Sequence, residues 1–94
     1  MPQNNKLVVG STWTLLTTND VVRITFQNLG RYPLMIYVTA GTVAPAETLT
    51  GLKYCPEAGE INRPLSDLAP GVTSGVRVWG RCPNSDGLIF VSHA

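Results

Sequence analysis

Nowhere in this sequence does an apolar period of 3.6 residues persist for the ten or so positions that a stable amphipathic helix requires. What recurs is the short run of β-branched, aromatic and aliphatic residues bounded by Gly, Pro, Asn or Asp, and that restricts the chain to an all-β fold. "VVRITFQN" at 21–28 alternates most cleanly: Val22, Ile24 and Phe26 point one way, and Val21, Arg23, Thr25 and Gln27 the other. "LMIYVTA" at 34–40 follows after "NLGRYP", a Gly-containing connection of hairpin length, so these two runs are predicted to pair antiparallel. Ahead of them, "KLVV" at 6–9 and "STWTLLTT" at 11–18 read as strands, with a turn at Asn19-Asp20.

After residue 40 the pattern lapses. "GTVAPAETLTGLKYCP" at 41–56 holds two prolines and two glycines and reads as an irregular excursion with one short strand near Leu52 to Cys55. In "GEINRPLSDLAPG" at 59–71, a strand through Glu60, Ile61 and Asn62 is confined to an edge, or ended, by Pro64. One helical turn then stops at Pro70-Gly71. "GVRVWGRC" and "GLIFVSHA" form a closing hairpin around Pro-Asn-Ser-Asp-Gly. About seven short strands with regularly spaced turns predict a single-domain antiparallel β-sandwich or jelly-roll-like barrel.

A chain of 94 residues has material for one core, so residues 1–94 are expected to form one domain, with the polar "MPQNN" at 1–5 as a flexible arm. Charged residues make up 14% of it, against about 25% in an average soluble domain, so part of the surface is expected to face something other than water. Seven basic and six acidic side chains leave a net charge of +1 with no run of one sign, which argues against electrostatic capture of nucleic acid. The start, "MPQNNKLVVG", has no basic segment leading into a long apolar stretch, and no apolar run approaches the roughly eighteen residues that span a bilayer. Synthesis in the cytoplasm without a membrane partner is the expectation. That origin favours buried free thiols over a disulfide for Cys55 and Cys82, and two Cys with one His are too few for a closed zinc site.

Catalytic chemistry has little to build on. The single histidine, His93, stands one residue from the end of the sequence, where a fraying chain holds a base poorly. The six carboxylates are scattered; Glu57 and Glu60 are the pair a glycosidase would draw on, but a domain of this size has little room for the cleft. No Gly-x-Ser-x-Gly or Gly-Lys-Ser/Thr signature occurs. The chain is therefore expected not to be an enzyme and to carry no cofactor or metal.

Contact surface is the stronger signal. In "VRVWGRC", Val76, Val78 and Cys82 share one face, and Arg77, Trp79 and Arg81 share the other. Arg and Trp are enriched at the centres of protein interfaces, which makes this ladder a candidate contact; the opposite assignment packs Trp79 inward with the two Arg stems along its edges. In "LIFV" at 88–91 alternation fails, so both faces of the last strand are predicted to be covered. The cover for the second face comes from the 41–56 excursion or from another subunit. Ile89 and Val91 therefore join Arg77, Trp79 and Arg81 as candidate interface residues.

The order "VVRITFQNLGRYPLMIYVTAG", "APAETLTGLKYCPEAGE" and "GVRVWGRCPNSDGLIFVSHA" resembles small all-β structural proteins of tailed bacteriophages and prophages, among them the capsid decoration, or cement, proteins. The likeness covers roughly residues 11–94 and rests most on the Asn28-Leu29-Gly30 to Val38 segment and the terminal Phe90-Val91-Ser92-His93-Ala94. It implies a virion protein assembled in the host cytoplasm, a homodimer or homotrimer, attached to the major capsid protein and reinforcing the head. The alternative is a carbohydrate- or receptor-binding module of a tail or head fibre, in which Trp and Tyr rings stack on sugars.

Overall fold

The computed structural model describes residues 3–17, 21–46, 51–72, 76–83 and 86–93. In chain order the elements are β1 (Gln3–Val9), β2 (Thr14–Leu15), β3 (Arg23–Asn28), β4 (Leu34–Ala40), β5 (Leu52–Tyr54), β6 (Gly59–Pro64), α1 (Leu65–Leu68), β7 (Val76–Arg81) and β8 (Gly87–His93). They form two four-stranded antiparallel sheets, sheet A in the order β1-β8-β3-β6 and sheet B in the order β2-β7-β4-β5. This interleaving is the jelly-roll order, two Greek keys wrapped into a sandwich. The predicted all-β sandwich is what the chain adopts.

Inward positions of the two sheets interdigitate. Ile24, Phe26, Ile89 and Val91 from sheet A meet Leu34, Ile36 and Val78 from sheet B, each no more than 1% exposed. Fully burying a side chain of this size contributes about 1.5 to 3 kcal/mol towards the ordering cost of the chain. Gly87 opens β8 where there is no room for a side chain: a Cβ there would stand 2.7 Å from Leu34 Cδ2 and 3.1 Å from Cys82 Cβ.

Several sequence expectations change. Neither predicted hairpin forms, because β3 and β4 lie in opposite sheets, as do β7 and β8. In each case the connection crosses the sandwich. Residues 3–5, expected in a flexible arm, belong to β1, which pairs with β8 without a break from Gln3↔His93 to Val9↔Gly87. The 11–18 run contains only the two-residue β2, and the Asn19-Asp20 turn, Thr18, and Asn84-Ser85 lie outside the described residues.

The phase of the 21–28 alternation also slips. Ile24 and Phe26 are buried as predicted, but Val22 is 79% exposed and Val21 is buried at 3%. Val21 N–H donates to Val76 O in β7 of sheet B, whereas Val22 O accepts from Leu65 N–H beside β6 of sheet A. The chain changes sheets at this peptide, and the side-chain phase inverts with it. Other elements stand as read: β5 lies within the irregular excursion, β6 ends at Pro64 on an edge of sheet A, and α1 is a single helical turn.

Candidate functional site

Strand pairing places the Arg-Trp-Arg ladder on the outer face of sheet B. Residues directly opposite in an antiparallel pair share a face, and Trp79 stands between Leu15 of β2 and Tyr37 of β4, with Arg81 opposite Met35 and Arg77 opposite Thr39. Val78 points the other way into the core. Alternation along β7 therefore held, but the ladder is not open to solvent. Trp79 is 6% exposed, and its Nε1–H donates to Thr39 Oγ1 at 2.7 Å.

The cover comes from residues distant in sequence. Trp13, 7% exposed, donates from Nε1 to Ala46 O at 3.1 Å, which ties the 41–46 segment to this side of the sandwich. Its ring meets Tyr37 edge-on at 5.8 Å, and the Arg81 guanidinium carbon stands 5.6 Å from its centroid, within cation–π range. Val43, in the same segment, is 82% exposed. The result is an aromatic, Met and Arg face to which the 41–46 segment is tied through Trp13.

Ile89 and Val91 are not interface residues. Both are fully buried in the core, because β8 is inserted between β1 and β3 and its odd-numbered positions face sheet B. The outward residues are Leu88, Phe90 and Ser92, each half-buried by neighbours on β1 and β3. The unbroken "LIFV" belongs to a central strand whose inward side chains are buried and whose outward ones are flanked by β1 and β3 and half-buried. The 41–46 segment is tied to the sheet B side through Trp13, and residues 47–50 of the excursion lie outside the described residues. His93, expected to fray, is 6% exposed and paired in the β1–β8 ladder.

A polar cluster marks the far edge of sheet A. Tyr54 Oη–H donates to Glu60 Oε2 at 3.0 Å, and Arg63 Nε–H donates to Glu60 Oε1 at 2.9 Å, while the Tyr54 ring meets Phe26 edge-on at 4.8 Å. Partial burial, then the Glu60 carboxylate, push the Tyr54 hydroxyl up to about 12. The raised value means that Tyr54 adds stability fully below its ordinary pKa near 10, and that this is lost as pH climbs to about 12. The side chain is only partly buried, so solvent screening holds the loss to about 1 kcal/mol. Urea unfolding at pH 9 and pH 11.5 is expected to show a larger drop for the native chain than for Tyr54→Phe; equal drops would remove Tyr54 from the alkaline transition.

Glu60 is thus engaged by Tyr54 and Arg63, while Glu57 sits exposed in a turn at φ +72, its N–H donating to Asn28 O and its O accepting from Gln27 Nε2–H. Among the described residues no three His, Cys, Asp or Glu come together as metal ligands. No helix among the described residues is long and apolar enough to cross a membrane. Cys82 is buried and Cys55 exposed, and both are free thiols.

Sequence reasoning missed two features. Asn28 is 1% exposed, and its amide bonds Tyr32 O at 2.9 Å, Tyr54 O at 3.0 Å and Gly30 N–H at 2.9 Å. The Asn-Leu-Gly spacing was its only local signal. The second is a shallow depression on sheet A, floored by Val8, Leu29 and Leu88 and rimmed by Arg31, Tyr32 and Asp86, in which Val8 is 65% and Tyr32 42% exposed. Comparison with known proteins adds nothing to these: no protein-family model, curated protein or solved structure matches the chain.

Proposed function

We propose that this chain is a structural protein of a bacteriophage virion, a capsid decoration protein that binds the major capsid protein and stabilises the head. The observation that carries the proposal is the outer face of sheet B. A sandwich with one wet side per sheet would be polar there, yet Trp13, Leu15, Met35, Tyr37 and Trp79 occupy it between Arg77 and Arg81. Aromatic residues, Met and Arg are the types enriched at protein interfaces, and Val43, in the segment tied to this face at Ala46, is an exposed apolar side chain. The jelly-roll order is common to viral capsid and lectin domains, and the resemblance of the sequence pattern to phage structural proteins supports a capsid protein as the partner. On this reading the protein catalyses nothing and acts by contact. Many weak attachments, one per bridged capsid junction, sum by multivalency.

Co-sedimentation of purified protein with empty phage capsids tests the proposal. Wild type is expected to bind, and Val43→Glu with Arg77→Glu to reduce binding at least about tenfold, by placing unpaired charges in the contact, with the circular dichroism spectrum unchanged. Loss of the effect in a folded double variant would reject this face, and no sedimentation of wild type would reject the capsid partner.

The depression beside Tyr32 favours a second reading, a carbohydrate-binding module of a tail or head fibre. An exposed ring next to a guanidinium and a carboxylate over an apolar floor suits a sugar. Glycan binding that disappears in Tyr32→Ala would put this reading first.

A further inference from the structure

We propose that two copies of this chain pair antiparallel along the free edge of β1, joining their A sheets into one continuous sheet across a twofold axis. The four sheet edges are β1 and β6 in sheet A and β2 and β5 in sheet B. Three are blunted. β2 has two residues and β5 three. β6 carries Pro64 and a bulge: Ile24 faces Arg63 and Phe26 faces Glu60, so Ile61 and Asn62 oppose Thr25 alone. Asn62 takes φ +48 to close the bulge, its N–H donating to Thr25 Oγ1 at 2.8 Å, and Ile61 is thrown outward at 87% exposure.

β1 has none of these devices. Its seven residues run in unbroken register along β8, contain no proline, and among the described residues pair with no strand on the other side. A row of open backbone donors and acceptors takes a strand as its partner, and β1 of a second copy supplies one with the same length and twist.

Side-chain parity then selects the register. Opposite residues must share a face, so inward Leu7 can meet Leu7 of the second copy, which places Lys6 against Val8. Centring on Lys6 instead would oppose two ammonium groups, and centring on Val8 would leave few residues in the ladder. The Leu7 register extends the core, since Leu7 is half-buried against the cluster that contains Ile89 and Val91. It also covers Val8, 65% exposed in the single chain, with the Lys6 stem. This pairing does not depend on the capsid reading, because it uses the backbone edge of sheet A, whereas that reading rests on the outer face of sheet B.

Light scattering on the full chain is expected to give twice the 10.1 kDa subunit mass. In a Cys55→Ser background, which removes the exposed native thiol, Leu7→Cys should cross-link to itself under mild oxidation, since directly opposite Cα atoms about 4.5 to 5.5 Å apart suit a disulfide. Val8→Lys sets a lysine against Lys6 of the second copy at two equivalent contacts and should raise the dimer dissociation constant about tenfold or more, while the exposed position keeps the subunit folded. A wild type that stays monomeric at millimolar concentration overturns the proposal. So does a dimer that neither cross-links through Leu7→Cys nor weakens in Val8→Lys, because it must use another surface.

Discussion

Trp79→Ala is expected to cost about 3 to 5 kcal/mol of folding stability, which in a domain of this size lowers the thermal midpoint by about 15 °C or more. The ring is 6% exposed although it sits on the outer side of its sheet. Removing it opens a void between Leu15 and Tyr37 and leaves Thr39 Oγ1 without its indole donor. Arg77→Ala, by contrast, is expected to stay within about 1 kcal/mol of wild type. Urea unfolding of the two variants side by side separates the alternatives: a Trp79→Ala protein as stable as Arg77→Ala would mean that the covered ring contributes to binding only. Large destabilisation makes Trp79 unsuitable as a binding probe, and it is the reason the capsid test relies on Val43 and Arg77.

The burial of Trp79 also shows where sequence reasoning stops. Alternation within β7 separates Val78 from Trp79 correctly because it is a property of the strand alone. What covers the outer face comes from Trp13, Tyr37 and Ala46, and no local pattern announces that these converge. The hairpins failed for a related reason. A Gly-containing connection such as 29–33 reports that the chain reverses, but it reverses equally well onto the same sheet or across to the facing one. In a jelly roll it crosses. For Ile89 and Val91 the sequence carried no phase at all, since four apolar residues in a row fit either face; β1 and β3 on both sides of β8 explain them. The edges were more legible, because proline acts locally: Pro64 ends β6 on the outside of sheet A as its missing N–H requires.

Asn28→Ala is expected to cost about 2 to 4 kcal/mol, an effect out of proportion to the few atoms removed. The amide sits where β3 leaves sheet A, and its three bonds hold the crossover at Gly30 and Tyr32 and tie it to the end of β5 at Tyr54. At 1% exposure water cannot replace them. Asn28→Asp separates hydrogen bonding from shape. The carboxylate still accepts from Gly30 N–H but faces the Tyr32 and Tyr54 carbonyl oxygens without a donor, so its folded pKa is raised above the unfolded value near 3.9. Such a group loses stability as pH rises through the folded pKa, and Asn28→Asp should therefore lie further below wild type at pH 7 than at pH 4 in urea unfolding. If Asn28→Ala stays within about 1 kcal/mol of wild type, the crossover is held by its backbone bonds, Asn28 N–H to Ala58 O and Leu29 N–H to Leu88 O. If the cost is as large as expected, one buried amide fixes the route by which the chain changes sheets, and with it the position of Tyr32 and Arg31 at the rim of the sheet A depression.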